Sequence, residues 1–238
     1  MDKENLVDVT DLNLPEQYDH AAQEMLRDSQ EIYGDKLRLF MITGSCALGQ
    51  CIEGFSDIDL MLVSEGLNFN ELHRIQESAK KHMVRIALTA YTQSEIEAGS
   101  FDDKTHNFMY QLNQGLIAPS YKDSDLKLPT ISLEKLQEVD RLFLPSKLHR
   151  LKRTLHTTAG DKVAMIKMLY TAEKMKLRSA GHNIIATSYQ DAVDLYADEF
   201  HARRIDITPE LNYERPASDD LIDYAREIVE DMANNPET

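Results

Sequence analysis

LFMITGSCALGQCIEGFSDIDLMLV, residues 39–63, decides how the rest of the chain is read. Leu39-Phe40-Met41-Ile42 is an apolar run of strand length that stops at Thr43-Gly44-Ser45. Gly44 admits backbone angles and close approaches that a Cβ blocks. Ser45 adds a hydroxyl where a following helix presents free N–H groups, a cradle for phosphate. After a loop, Ser56-Asp57-Ile58-Asp59-Leu60-Met61-Leu62-Val63 alternates and then becomes wholly apolar, as a buried strand does. Residues two apart on a strand share a face, so Asp57 and Asp59 are expected together, about 7 Å apart along the chain. Neighbouring carboxylates repel unless a cation lies between them, and their hard oxygens suit Mg²⁺ carrying substrate phosphates.

Gly44-Ser45, Ala47 and Gly49 in a GSxAxG arrangement, followed by SDIDL, resemble the signature of the DNA polymerase β-like nucleotidyltransferase superfamily. The resemblance spans residues 37–91 and, more loosely, the helices on either side. It implies a nucleotide-binding turn at Gly44 and Ser45, joined by Ser56 at the head of SDIDL. It also implies a catalytic, metal-holding pair at Asp57 and Asp59. The loop between these halves is slightly longer than the commonest form, which a surface loop tolerates. Superfamily members often carry a third carboxylate on the next strand, completing a two-metal site. Here that strand is read over 84–91, and the matching position is Ala87, with no Asp or Glu anywhere from Lys80 to Ser94.

Composition narrows the classes. The 238-residue chain is 42% hydrophobic and 28% charged, fitting one large or two small domains of a soluble protein. No apolar run approaches the roughly 18 residues that cross a membrane. The acidic, polar first residues do not read as a secretory signal, so a cytoplasmic setting is expected. Cys46 and Cys51 have no metal-ligand spacing and read as reduced loop residues. The net charge is −15. Residues 1–130 carry 22 acidic and 11 basic side chains, against 19 and 15 beyond them. An acidic first half argues against nucleic acid as partner and favours a cationic or metal-bridged substrate.

In chain order, 1–13 reads as a loose arm, and helical spacing then runs from Pro15 to Gly34. After the motif, a helix is expected over 71–81 and then the strand over 84–91. Thr92-Gln93-Ser94-Glu95 reads as a capping box that would occupy Glu95 structurally. A helix over 101–114 and a short last strand over 116–118 follow, then a polar linker over 121–129. Beyond it the pattern is helical only: 132–144, 146–157, 161–180, 187–201 and 218–232. Lys147, Arg150, Lys152 and Arg153 make a basic helix, and Arg150 with His156 has the loose spacing of a small RNase motif found in helical partners of nucleotidyltransferase-type antitoxins. Glu173, Asp198, Glu199 and His201 are candidate general bases that nothing in the sequence ranks.

The expected fold is α+β: a small mixed β-sheet nucleotidyltransferase core with flanking helices (1–125), followed by an α-helical bundle domain (126–238). The arrangement is similar to aminoglycoside nucleotidyltransferases. That likeness implies in-line attack by an acceptor hydroxyl on the α-phosphorus of a nucleoside triphosphate, ATP foremost, with Mg²⁺ on Asp57 and Asp59. The acceptor would be a small molecule, and the acidic balance suits a cationic one. Helical second domains often pair, so a homodimer is among the expectations. The missing carboxylate at Ala87 supports a different class: a nucleotide-binding module without turnover, a sensor or toxin–antitoxin component.

Overall fold

The computed structural model describes residues 6–157, 161–212 and 215–234. The chain divides into two compact units between Ile131 and Ser132.

The first unit is built on two central strands, β1 (Leu37–Thr43) and β2 (Ile58–Ser64), both buried along nearly their whole length. They pair antiparallel, with Thr43 opposite Asp59 and Ile42 opposite Leu60. β3 (Ile86–Thr92) lies parallel to β2, and β4 (Tyr121–Lys122) pairs antiparallel with the other side of β1, giving the order β3-β2-β1-β4. Parallel neighbours need a crossover, and α3 (Phe69–Ala79) supplies it between β2 and β3. α1 (Glu16–Tyr33) buries Tyr18, Ala21, Ala22, Met25 and Tyr33, one stripe of a helix that ends at Gly34 with φ +52°. That stripe packs with Ile75 of α3 on the sheet face carrying Phe40, Ile42, Ile58, Leu60 and Leu62. Each large side chain so buried contributes about 1.5–3 kcal/mol. Strand parity sends Asp59, Met61 and Val63 to the opposite face. α4 (Gln93–Glu97) packs on β2 and β3, and α5 (Asp103–Asn113) begins beside the end of β3, where Tyr91 and Thr105 hydroxyls are 2.9 Å apart.

Several expectations need correction here. Residues 6–13 are not a loose arm: Val9–Leu12 form a 3₁₀ turn capped by Asp8, Val9 is buried, and Val7 N–H bonds the Pro119 carbonyl at 3.1 Å. The last strand is not 116–118. It falls at Tyr121–Lys122, inside the stretch read as linker, because the free edge of β1 offers the pairing. Leu126 is buried, and Asp123 bonds Arg38 at 2.7 Å, so this polar segment is tied to the first unit.

The second unit is a helical bundle: α6 (Leu133–Thr157), α7 (Lys162–Ser179), α8 (Tyr189–Phe200) and α9 (Asp219–Asn234). α7 packs against the other three. Residues 132–144 and 146–157, expected as separate helices, form the single α6, with Pro145 in its interior. The proline removes one backbone donor, the partner of the Arg141 carbonyl, without ending the helix. Charge is buried in this bundle. Arg178 Nε and Nη2 reach Asp140 Oδ2 and Oδ1 at 2.6 and 2.8 Å, a bidentate pair joining α7 to α6. Among the described residues no helix is long and apolar enough to cross a membrane.

Candidate nucleotide site

The register of β1 on β2 builds the site. Thr43, the last residue of β1, lies across from Asp59, and its hydroxyl donates to the Asp59 carbonyl at 3.2 Å. The chain then turns at Gly44, with φ +69°. A Cβ placed on Gly44 would stand 2.4 Å from Asp59 Oδ2. The aspartate carboxylate therefore occupies the space a side chain would fill, and only glycine meets both the angle and the approach. The turn and the second aspartate, 15 residues apart in sequence, are in contact.

Ser45 opens the one-turn helix α2 (Gly44–Ala47). α2 aligns few peptide dipoles, so what this turn offers an anion is local: backbone N–H groups and the Ser45 hydroxyl. That hydroxyl donates to Ser56 Oγ at 3.2 Å, and Ser56 Oγ also accepts the Ile52 N–H at 2.9 Å. Tyr18 of α1 pins the same loop, its hydroxyl donating to the Ser56 carbonyl at 2.9 Å and accepting the Gly54 N–H at 3.1 Å. Burial raises the Tyr18 pKa, keeping this phenol protonated as a donor. Cys46 Sγ donates to Cys51 Sγ at 3.2 Å and approaches the Asp57 carbonyl at 3.5 Å. The contact with Cys51, together with burial, pushes the Cys46 thiol up. The hydrogen bond from Cys46, working against burial and aided by Ser56, holds the Cys51 thiol down.

Asp57 sits just before β2 rather than within it, though Ile58 N–H already reaches the Arg85 carbonyl at 2.9 Å. Each carboxylate faces a basic side chain. Lys104 Nζ of α5 lies 2.6 Å from Asp59 Oδ1, and Arg85 Nε lies 4.0 Å from Asp57 Oδ2. Both aspartate side chains are mostly buried, at 15% and 17% exposure. The parallel register sets Ala87 directly beside Asp59, so a methyl group stands where a third carboxylate would face the pair. Among the described residues no group of three His, Cys, Asp or Glu side chains gathers to hold a metal. Mg²⁺ commonly takes one or two carboxylates and completes its shell with phosphate oxygens and water. Two carboxylates are the number such an ion takes from protein, and the Ala87 methyl offers no oxygen to a second ion.

Sequence reasoning missed Lys104, Arg85 and Tyr18. No local pattern marks them, because each meets the motif only through the fold. Glu95 has the expected capping role: Thr92 Oγ1 accepts its N–H at 3.2 Å and Glu95 Oε2 accepts the Thr92 N–H at 2.7 Å. The candidate bases of the second unit are otherwise engaged. Glu173 is fully buried and accepts from the Tyr224 hydroxyl at 2.8 Å. Asp198 pairs with Arg204, and Glu199 lies 2.9 Å from His182. His201 is the left-handed C-cap of α8. The basic residues Arg150, Lys152 and Arg153 are exposed on α6, as is His156. Within this unit Arg141, His149, Lys152 and Lys176 join apolar side chains around a cavity of about 620 Å³. That lining favours anionic over cationic groups.

The class these features define is an α+β fold of nucleotidyltransferase type: a small mixed sheet with a glycine-serine turn set on an aspartate strand, then a helical bundle. A particular solved structure shares it. The chain is similar to the spectinomycin adenyltransferase AAD(9) from Enterococcus faecialis, solved with ATP and spectinomycin, at a TM-score of 0.55. The likeness covers 89% of this chain and 99% of that one at 15% identity, and is therefore a likeness of fold. No family model matches the chain, and no curated protein matches it by sequence.

Proposed function

We propose that this chain binds a nucleoside triphosphate, ATP first, and moves its nucleoside monophosphate to a hydroxyl of a small-molecule acceptor in a Mg²⁺-dependent reaction. One observation carries the reading: the Gly44 turn rests on the Asp59 carboxylate so closely that any Cβ there would displace it. A turn offering N–H groups and a hydroxyl, in contact with the Asp59 carboxylate, supports anion recognition and cation recognition at one place. Gly44, Ser45 and Ser56 hold the triphosphate, and Asp57 and Asp59 hold the ion. When bound, Mg²⁺ supplies positive charge that offsets the phosphate oxygens. The protein's own part is positional: the turn fixes the triphosphate so that an acceptor hydroxyl meets the α-phosphorus in line as pyrophosphate leaves. The adenyltransferase of similar fold was solved with ATP and spectinomycin, which makes spectinomycin and other cationic, hydroxyl-bearing molecules the first acceptors to try. The acidic first half supports that choice. The test is pyrophosphate release from ATP with each acceptor. Release that needs Mg²⁺ and disappears in Asp59→Asn supports transfer; no release with any acceptor from a protein that binds ATP refutes it.

A second reading has its own observation. Ala87 beside Asp59 leaves no third carboxylate, and Lys104 already meets Asp59. A nucleotide-binding module without turnover, a sensor or one component of a toxin–antitoxin pair, fits those two facts. It predicts metal-linked ATP binding with no pyrophosphate.

A further inference from the structure

Cys46 and Cys51 are free thiols in contact, Sγ to Sγ 3.2 Å, on the loop that joins the Gly44 turn to Ser56. The Gln50 N–H bond to the Ser45 carbonyl at 2.8 Å and the Gly49 N–H bond to the Cys46 carbonyl at 3.3 Å fold the intervening residues back and hold the two sulfurs together. Cys46 is fully buried in the core, whereas Cys51 is only half-buried. We infer that Cys46 and Cys51 form a reversible thiol–disulfide modification site, and that its oxidation loosens the Ser45–Ser56 cradle beside it.

A small-molecule disulfide such as oxidised glutathione is the oxidant. The Cys51 thiolate attacks one of its sulfurs, breaking that S–S bond and releasing one glutathione thiolate. Cys46 then attacks Cys51 Sγ, forming the protein disulfide, and its proton leaves on the second glutathione, which departs as the thiol. Two cysteine thiols are oxidised and one disulfide is reduced to two thiols. A disulfide needs its sulfurs at about 2.05 Å, so one thiol must move by roughly an ångström. Cys46 is locked in the core, so the movement falls on Cys51 and on Ile52 after it. The Ile52 N–H is held by Ser56 Oγ, the same atom that receives the Ser45 hydroxyl. Displacing Ile52 therefore pulls on the hydrogen bonds that set Ser45.

The modification itself is independent of the nucleotide reading; only its effect on ATP rests on that reading. The experiment treats the full chain with oxidised glutathione, followed by intact mass and by hydrogen exchange over residues 51–56. Expected is a loss of two hydrogens reversed by dithiothreitol, a lasting glutathione adduct in Cys46→Ser, no reaction in Cys51→Ser, and faster exchange at 51–56 in the oxidised form. A lasting adduct in the wild type, or two free thiols after treatment, overturns the site. Unchanged exchange in a protein proven oxidised overturns the coupling. ATP binding, measured on reduced and oxidised protein, is expected to weaken roughly tenfold, the equivalent of one hydrogen bond. Equal affinities refute the effect on nucleotide. If reduced protein binds no ATP, the nucleotide reading fails while mass and exchange still decide the site.

Discussion

Gly44→Ala gives the sharpest stability test, because a second glycine serves as its control. Gly44 and Gly49 both hold φ +69°. An alanine at either position is forced into the left-handed region at about 1–2 kcal/mol. At Gly49 a Cβ meets nothing within 4 Å, so the backbone strain is the whole cost. At Gly44 it meets Asp59 Oδ2 at 2.4 Å and the carboxyl carbon at 3.2 Å. Asp59 must rotate away, and its 2.6 Å pair with Lys104 goes with it. Lys104 is 46% exposed, so the lost pair adds at most about 1 kcal/mol. Overpacking at the turn adds roughly 1 kcal/mol more. Gly44→Ala should therefore cost about 2–4 kcal/mol and Gly49→Ala about 1–2 kcal/mol, read as urea midpoints at constant slope. ATP binding should survive in Gly49→Ala and vanish in Gly44→Ala. Equal destabilisation by the two alanines would show that the carboxylate does not sit under the turn.

Other perturbations follow from the same geometry. Lys104→Ala removes the ammonium that competes for Asp59 Oδ1, so calorimetry with Mn²⁺ alone should show affinity raised about fivefold, the size of an exposed ion pair; unchanged affinity would show that Lys104 does not guard the carboxylate. Ala87→Asp places a third carboxylate beside Asp59, which should lower the melting temperature without metal and restore it with Mg²⁺, since like charges need a cation between them. In the bundle, burial raises the Glu173 carboxyl from 4.5 to about 8, only partly offset by the hydrogen bond from Tyr224, with Tyr196 facing the same pocket. The folded state keeps a proton that the unfolded chain releases, so this contribution is intact below about pH 4.5, falls as pH rises, and is gone above about pH 8. Lys174, lowered to about 7 by burial, acts in the opposite sense only above that value. Urea midpoints between about pH 5 and pH 7 should therefore fall in the wild type and flatten in Glu173→Gln.

The parts legible in the sequence were those governed by local periodicity and backbone chemistry. β1 and β2 announce themselves because both faces are buried and the apolar runs are unbroken. The left-handed turn at Gly44 and the Thr92–Glu95 capping box are set by short-range geometry. The resemblance marks Ala87 as the position of a third carboxylate, and the parallel register sets it beside Asp59. What escaped depends on reach across the fold. Lys104 meets Asp59 across 45 positions of sequence, and Tyr18 meets Ser56 across 38. β4 is two residues long and exists because β1 offers an edge, not because Tyr121 and Lys122 prefer a strand. Pro145 misled in another way: a proline costs a helix one hydrogen bond, and the packing of α6 on α7 and α9 outweighs that loss. The buried charges of α7 were invisible for a related reason, since Arg178 meets an Asp140 that arrives from another helix.

The central claim is that the Gly44–Ser45 turn and the Asp57/Asp59 pair form one nucleotide–metal site. Calorimetric titration of ATP and GTP into wild type and into Asp57→Asn/Asp59→Asn, each with Mg²⁺ and with a chelator, tests it most directly. Binding to wild type should need Mg²⁺ and be lost in the double variant while the fold is retained. Wild type that binds neither nucleotide, with or without metal, or a double variant that binds as well as wild type, would contradict it.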